Sequence, residues 1–199
     1  ITKRKYSFKK STYDLFKMLA FVLASRVFPS NKKLKVIIFG QGRTGSTLLE
    51  NLICNTGHFR KNGELLMLYQ HVLFSPYYFI RGYSNLKNAG NFIFHAKIYH
   101  LKSSEFFYMD PEKFISKLYH DGWKVIFLHR TNVAKQTISS QIAAARDKYH
   151  RISDKEEVFY HELDIPKFEN EVKERLKFLE EEKAIIQKIE HVEVNYERD

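Results

Sequence analysis

Short apolar runs alternate along the chain with segments in which apolar residues recur at helical spacing. The runs are rich in β-branched and aromatic residues, a composition typical of buried strands. Strands are predicted in this way at 34–40, 91–100, 124–130 and 192–196. Helices are predicted after the first and third runs, at 46–55 and 133–147. The alternation predicts a three-layer α/β fold, with a central parallel sheet flanked by helices and a ligand site at the carboxyl ends of the strands.

Further helices follow from start signals and from periodicity. Asp110 and Pro111 supply an N-cap and a first-turn proline for a helix that runs to about Tyr119. A long charged segment, 166–190, carries its apolar residues along one side, which favours an amphipathic helix covering the sheet over a coiled coil. An amphipathic helix is also predicted within residues 1–30.

Composition and charge narrow the functional classes. The 199 residues are 44% hydrophobic and 15% aromatic, which indicates one globular domain over 1–199, with residues 1–30 as a helical extension. The net charge of +10 points to anionic partners: nucleic acid, an acidic lipid surface, or a phosphorylated or sulfated ligand. The basic residues are dispersed and form no standard nucleic-acid-binding motif, so no nucleic-acid partner is predicted.

The N-terminus and the single cysteine bear on the compartment. Cys54 alone excludes a disulfide framework and a cysteine-based zinc site. The apolar run Met18–Ser25, between Lys17 and Arg26, is far shorter than the ~20 residues of a membrane span. No signal-peptide cleavage site is evident. We therefore expect a cytoplasmic protein with at most peripheral membrane contact.

A glycine-rich turn, GQGRTGST (40–47), connects the first strand to the helix after it. Gly40 and Gly45 have the spacing of a Walker A loop, but Ser46 stands where that loop has its lysine. The positive charge comes earlier, at Arg43, and backbone amides at the start of the helix still favour an anion. The turn therefore predicts a site for a phosphate compound other than an ordinary nucleoside triphosphate.

The end of the strand at 124–130 supports the same interpretation. A P-loop ATPase holds Mg²⁺ with an acid near the end of a neighbouring strand, whereas this strand ends in His129 and Arg130. Arginine and hydroxyl groups suit an anion bound without metal, so no metal site is predicted. This combination argues against ATP hydrolysis.

Arg43-Thr44-Gly45-Ser46-Thr47 resembles the 5′-phosphosulfate loop of the sulfotransferases, P-loop-like α/β enzymes that use 3′-phosphoadenosine 5′-phosphosulfate (PAPS). In the same family, a strand ending in arginine and a serine on the next helix bind the 3′-phosphate. VIFLHRTNVAKQTISS (125–140) is similar, with Arg130 as the arginine and Ser139, or else Ser140, as the serine. The resemblance implies PAPS as cofactor and 3′,5′-adenosine bisphosphate as product. It also implies cofactor contacts from Gly42, Arg43, Thr44, Gly45, Ser46, Thr47, Arg130 and Ser139.

The resemblance also implies a reaction, the transfer of a sulfuryl group to an acceptor hydroxyl by in-line displacement. Arg43 would stabilise the developing charge. Gly63-Glu64 is similar to the segment that carries the catalytic glutamate of protein-tyrosine and trehalose-type enzymes, so Glu64 is the predicted base. Lys97 matches a strand lysine of related carbohydrate enzymes. His95 and His100 remain alternative bases; strand periodicity predicts that His95 shares a face with Lys97 and that His100 lies on the other face.

The acceptor and the closing part of the site are predicted less directly. The family resemblance favours a hydroxyl of a carbohydrate or small metabolite, and the aromatic segment 68–83 is expected to supply its pocket. Sulfotransferases continue beyond their last strand with a loop that closes over the cofactor, and we expect that segment to be absent here. An oligomer is possible. A degenerate P-loop kinase or NTPase and a non-catalytic polyanion-binding module stay open as alternatives.

Overall fold

The computed structural model describes residues 8–27, 33–68, 75–86, 90–102, 109–146 and 162–199. Five strands form one parallel sheet in the order β2-β3-β1-β4-β5. The strands are β1 Lys35–Phe39, β2 Phe59–Lys61, β3 Asn91–Ala96, β4 Lys124–His129 and β5 Val192–Asn195. The helices are α1 Phe8–Val27, α2 Ser46–Asn55, α3 Leu65–Leu68, α4 Pro76–Leu86, α5 Ile98–Lys102, α6 Pro111–His120, α7 Val133–Ala145 and α8 Ile165–Ile186. The predicted α/β class is confirmed.

Strand β1 lies at the centre because its residues are apolar on both faces. Ile37 and Phe39 face the larger core, where α1, α4, α6 and the end of α8 pack. Val36 and Ile38 face the smaller core under α2. A strand buried on both sides carries no alternation of polar residues, and KVIIF has none after Lys35.

The strand order places a crevice at the carboxyl end of β1. After β1 the chain crosses towards β2 and β3, whereas after β4 it continues to β5 on the opposite side. Connections that leave two adjacent parallel strands in opposite directions open a crevice between them, and ligands of α/β proteins bind there. The turn after β1 and Arg130 after β4 both border this crevice.

The predicted strand 91–100 is wrong over its second half. β3 ends at Ala96, which pairs with Phe39 at the end of β1, and α5 begins at Ile98. Beyond Phe39 the neighbouring strand turns away, so the chain closes a helical turn instead, with the His100 amide donating to the Lys97 carbonyl at 3.0 Å. The prediction that His95 and His100 lie on opposite strand faces fails with it.

The aromatic segment expected to line an acceptor pocket is largely core. Residues 69–74 lie outside the described residues, and α4 covers most of the rest. Tyr77, Phe79 and Ile80 are buried in the main core, where the Phe79 ring contacts Phe21 of α1. Rings that recur at helical spacing meet the inner surface of their helix, so for these side chains the acceptor-pocket prediction is wrong.

Helix α1 packs directly against α4. A Cβ on Gly82 of α4 would lie 1.8 Å from the carbonyl oxygen of Phe21, so only glycine permits this approach of the two backbones. Met18, Phe21 and Val22 join the main core from α1. In the described part of the chain, none of the helices combines the length and the apolar character needed to cross a membrane.

Candidate functional site

The loop between β1 and α2 has two residues in the left-handed region. Arg43 has a φ of 68° and Gly45 a φ of 87°, while Thr44 between them does not have positive φ. A non-glycine residue in this region costs on the order of 1–3 kcal/mol and persists only where its surroundings hold it. No side chain caps the amides of α2, because Gly45 occupies the N-cap position. The loop therefore leaves backbone donors at the start of the helix, beside Ser46 and Thr47, the first two residues of α2.

Gly45 has a second reason to be glycine. A Cβ there would lie 2.6 Å from the ring of Tyr196, in the turn after β5. Thr44 is buried, and its hydroxyl donates to the Gln41 carbonyl at 2.8 Å. The Thr44 side chain thus fixes the turn from inside, unlike the ligand-contacting role that the resemblance implies for it.

The carbonyl groups of the loop are held by side chains from three other elements. The Gly42 carbonyl accepts hydrogen bonds from Gln136 Nε2 at 2.7 Å and from Arg175 Nη1 at 3.3 Å. The Arg43 carbonyl accepts one from Arg130 Nη1 at 3.3 Å. Hydrogen bonds from cationic and amide donors weaken the negative potential of these carbonyl oxygens. An anion is therefore repelled less by the loop.

Arg43 and Ser139 are in direct contact. Arg43 Nε donates to Ser139 Oγ at 3.0 Å, which joins the turn after β1 to α7. Ser140, the alternative serine, instead lines a surface groove of about 310 Å³ together with Gln141 and Glu171. The structure thus brings Ser139, and not Ser140, to the loop.

Arg130 is held by the turn after β5. Its Nε donates to Glu197 Oε1 at 2.8 Å, and its guanidinium carbon lies 4.4 Å from the centroid of the Tyr196 ring. Glu197 Oε2 also accepts from the Thr131 amide at 2.8 Å. Desolvation opposes ionisation of Glu197, but the hydrogen bonds from Arg130 and the backbone outweigh it and hold the pKa of the carboxyl below its usual range. His129 is buried, stacks on Phe127 and contacts Glu193 Oε1 through its Nε2 at 2.8 Å, so its ring is held on both counts within the protein.

The predicted base, its two alternatives and the predicted charge-stabilising lysine lie together beside this loop. Glu64 pairs with Lys97, its Oε1 lies 3.7 Å from His95 Nδ1 and its Oε2 lies 3.5 Å from His100 Nε2. The structure places His95 at the end of β3, Lys97 just after it and His100 on α5. We call Glu64, His95, Lys97 and His100 the acid–base cluster.

Burial and charge set the protonation states in the acid–base cluster. Burial alone would raise the pKa of Glu64, but the ammonium group of Lys97 outweighs it and holds that pKa below its usual value. Burial lowers the pKa of His100 to about 3. His100 is therefore neutral at neutral pH, whereas Glu64 is an ionised carboxylate paired with Lys97.

Glu50 is a contributor that sequence reasoning missed. This acid on α2 is fully buried, and its Oε1 accepts from the amides of Asn62 at 3.0 Å and Gly63 at 2.8 Å. Its Oε2 lies 3.4 Å from His95 Nε2. Burial opposes its charge, yet the contacts with His95 and with the two amides lower its pKa below the usual value. Glu50 thereby ties the helix of the loop to the segment that carries Glu64.

The acid–base cluster borders the loop at Gly42. A Cβ on Gly42 would lie 3.5 Å from the Tyr99 hydroxyl and 3.8 Å from Lys97 Nζ. Lys97 therefore stands between the Glu64 carboxylate and the loop. Any side chain at Gly42 would fill the space that separates the two parts of the site.

Helix α8 supplies two further residues that the sequence did not single out. Arg175 reaches the Gly42 carbonyl and lies close to Tyr99 and Arg43; burial lowers the pKa of its guanidinium, which nevertheless stays protonated at neutral pH. Glu182 is fully buried, and Gln41 Nε2 lies 3.4 Å from its Oε2. Burial raises the pKa of Glu182 to about 8. In a helix this rich in charge, sequence alone gives no signal for either residue.

Neither models of known protein families nor curated protein sequences match this chain. Within the residues that the structure describes, no group of three or more His, Cys, Asp or Glu side chains is arranged to hold a metal ion. The functional interpretation therefore depends on the two sequence motifs and on the geometry of the site they form.

Proposed function

We propose that this chain is a PAPS-dependent sulfotransferase that transfers a sulfuryl group to a hydroxyl of a carbohydrate or small metabolite. The observation that carries the proposal is the contact between Arg43 and Ser139, which joins the two sequence motifs in one place. Two more arginines, Arg130 and Arg175, hold the same loop. Glu64 and Lys97 lie on its other side.

The cofactor has two anionic ends, and the site offers two sets of donors. The amides at the start of α2, with Arg43 and the hydroxyls of Ser46 and Thr47, suit the 5′-phosphosulfate. Arg130 and Ser139 suit the 3′-phosphate. Both sets consist of cations, hydroxyls and amides, which match sulfate and phosphate oxygens without a metal ion. These donors support PAPS as the ligand, rather than a nucleotide that binds as its Mg²⁺ complex.

Glu64 would accept the proton of the acceptor hydroxyl as its oxygen attacks sulfur. The new O–S bond forms while the S–O bond to the 5′-phosphate of the bisphosphate breaks, and the proton ends on Glu64. Lys97 lies between the base and the loop, where it would stabilise charge on the transferring group. Arg43 would stabilise the departing phosphate.

A thermal-shift titration with 3′,5′-adenosine bisphosphate, run in parallel with ATP–Mg²⁺, tests the proposal. A ligand that binds the native state raises the unfolding temperature in proportion to the logarithm of its concentration above Kd. We expect the bisphosphate to stabilise the wild type. Arg43→Asn, which tolerates the left-handed backbone, should abolish the shift, whereas Lys177→Ala on the exposed side of α8 should keep it.

Each alternative function predicts a different outcome of that titration. Stabilisation by ATP–Mg²⁺ alone would favour a kinase or NTPase and overturn the proposal. A protein that ignores both nucleotides, and binds nucleic acid with an affinity that falls steeply with salt, would instead be a polyanion-binding module.

A further inference from the structure

The outward face of α1 is apolar along most of its length. Five of its exposed large apolar side chains lie on one side of the helix, where residues three or four apart are neighbours. They are Tyr13, Phe16, Leu19, Leu23 and Val27, with exposed fractions of 59%, 67%, 37%, 62% and 73%; Leu15, which is 39% exposed, lies one turn before Leu19 at the edge of this row. A single exposed apolar residue is ordinary, but a row of five on one helix marks a surface that contacts something apolar.

The orientation of this face is fixed by the opposite side of the helix. Met18, Phe21 and Val22 are buried in the main core, and the Phe21 carbonyl lies against Gly82 of α4. Rotating α1 to hide its outer row would remove these contacts and expose the core. The apolar row therefore faces outward as a consequence of the fold.

Positive charge accompanies the apolar row. Among the first 27 residues of the sequence seven are Lys or Arg and only Asp14 is acidic. Within α1, Lys17 lies 4.2 Å from the Tyr13 ring at one border of the row, and Arg26 is exposed at the other. Most of the net charge of +10 thus belongs to this short part of the chain.

We propose that the outer face of α1 rests on an anionic lipid surface. Phe16, Leu23 and Val27 would enter the boundary between headgroups and acyl chains, while the basic residues contact lipid phosphates. Polybasic segments are attracted to such a surface by its negative potential. A second copy of this chain is the less favourable occupant, because it would bring two strongly basic segments together.

The proposal is independent of the sulfotransferase function, since α1 shares no residue with the loop or the acid–base cluster. The lipid proposal concerns the location of the protein in the cell and does not specify the reaction that it catalyses. A membrane-bound position would place the site near acceptors that are themselves held at a lipid surface.

Co-sedimentation with lipid vesicles tests the proposal. The full chain is mixed with vesicles of phosphatidylcholine alone, or with about a third of phosphatidylglycerol, a composition that gives the surface the negative charge the basic residues need. We expect the partition coefficient to be at least about tenfold higher on the anionic vesicles and to fall as salt is raised. Equal or absent sedimentation on both vesicle types would overturn the proposal.

A matched pair of variants separates the α1 face from surface hydrophobicity in general. Phe16→Ser combined with Leu23→Ser should lower partitioning at least about tenfold, because two apolar side chains are lost from the contact. Leu52→Ser on α2, where the side chain is 58% exposed, should partition like the wild type. Circular dichroism and a melting curve show whether each variant is folded.

The same variants reveal whether another copy covers the face. Light scattering after size exclusion should show the same oligomeric state for wild type and double variant if lipid is the occupant. A wild-type dimer that becomes a monomer in the double variant, without vesicle binding in either, would assign the face to a second copy and overturn the proposal. A double variant that is folded and binds anionic vesicles like the wild type would also overturn the proposal.

Discussion

The loop after β1 and the acid–base cluster lie side by side, yet they are held by different kinds of contact. The loop is fixed through its carbonyl oxygens by Gln136, Arg130 and Arg175, so its shape depends on cations and amides from distant parts of the chain. The cluster is fixed by ionic contacts, with Glu64 against Lys97 inside it and the buried Glu50 against His95. A binding surface has to leave donors available to a ligand, whereas a proton acceptor has to be ionised before the reaction begins. The two forms of support match the two tasks that we propose for these regions.

Replacing Glu64 by glutamine should separate the two regions most sharply. The amide keeps the size of the side chain but cannot accept a proton, and loss of a general base costs on the order of 10²–10⁴ in rate. We expect turnover with PAPS to fall by that range, while the thermal shift with 3′,5′-adenosine bisphosphate stays. Glu180→Gln, on the exposed side of α8, is the control. Retained turnover in the Glu64 variant would move the base to His95.

Arg175→Met should weaken the loop rather than the acid–base cluster. Removing a charged donor to the Gly42 carbonyl loosens the loop, and the lost charge-assisted hydrogen bond is worth about 1.5–3 kcal/mol. We expect the Kd for the bisphosphate, measured by calorimetry, to rise at least about tenfold. Lys173→Met, an exposed position of the same helix, removes one charge as well and should leave Kd within about twofold. Equal effects of the two changes would mean that only net charge matters.

Lys97→Met should change the pH dependence of the reaction. Lys97 holds the pKa of Glu64 below its usual value, so in the wild type Glu64 stays ionised until the pH falls below the ordinary range of a glutamate. Without Lys97, burial raises that pKa, and the acid limb of the kcat/KM profile should move to higher pH. In the Lys102→Met variant the ion pair with Glu181 is lost instead, and the acid limb should stay at the wild-type pH. An unmoved limb in the Lys97 variant would show that another group titrates.

Glu182→Gln should have the smallest effect, confined to stability. Burial raises the pKa of Glu182 to about 8, so the folded protein keeps a proton that the unfolded chain has lost at lower pH. The wild type therefore loses stability as the pH rises from the usual pKa of a glutamate to about 8. We expect the variant to melt at nearly the wild-type temperature at pH 5, and at a higher one at pH 8.5. A constant difference across this range would contradict the assigned protonation.

Sequence patterns predicted the sheet wherever apolar residues were continuous. β1 and β4 follow directly from such runs, whereas β5 (VEVN) was predicted from its β-branched valines between polar residues. β2 is only three residues, Phe59–Lys61, and carries too few apolar positions to be recognised. The predicted strand 91–100 was wrong beyond Ala96, because a short run of the same composition suits either a strand or a helical turn. The end of β1 at Phe39 decides between them, and that information lies elsewhere in the chain.

The residues of the candidate site also divide into those that local sequence predicts and those that it does not. Residues 42–47 are contiguous, and the strand and turn around them could be predicted from local sequence. Glu50, the one charged residue of α2, and Arg175, one of many on α8, reach the site across the fold. Only the packing of α2 and α8 against the sheet shows which of those charges face inward.

The pairing of Arg130 with Glu197 gives the site an internal competitor. The carboxylate already occupies the guanidinium that a 3′-phosphate would use, and the Thr131 amide with it. A 3′-phosphate bound at Arg130 would compete with Glu197 for the guanidinium, so the free energy of this ion pair would lower the affinity of the site for the ligand. The turn after β5 would be released when the ligand arrives, and faster amide exchange in residues 196–198 would then report occupancy of the site from a distance.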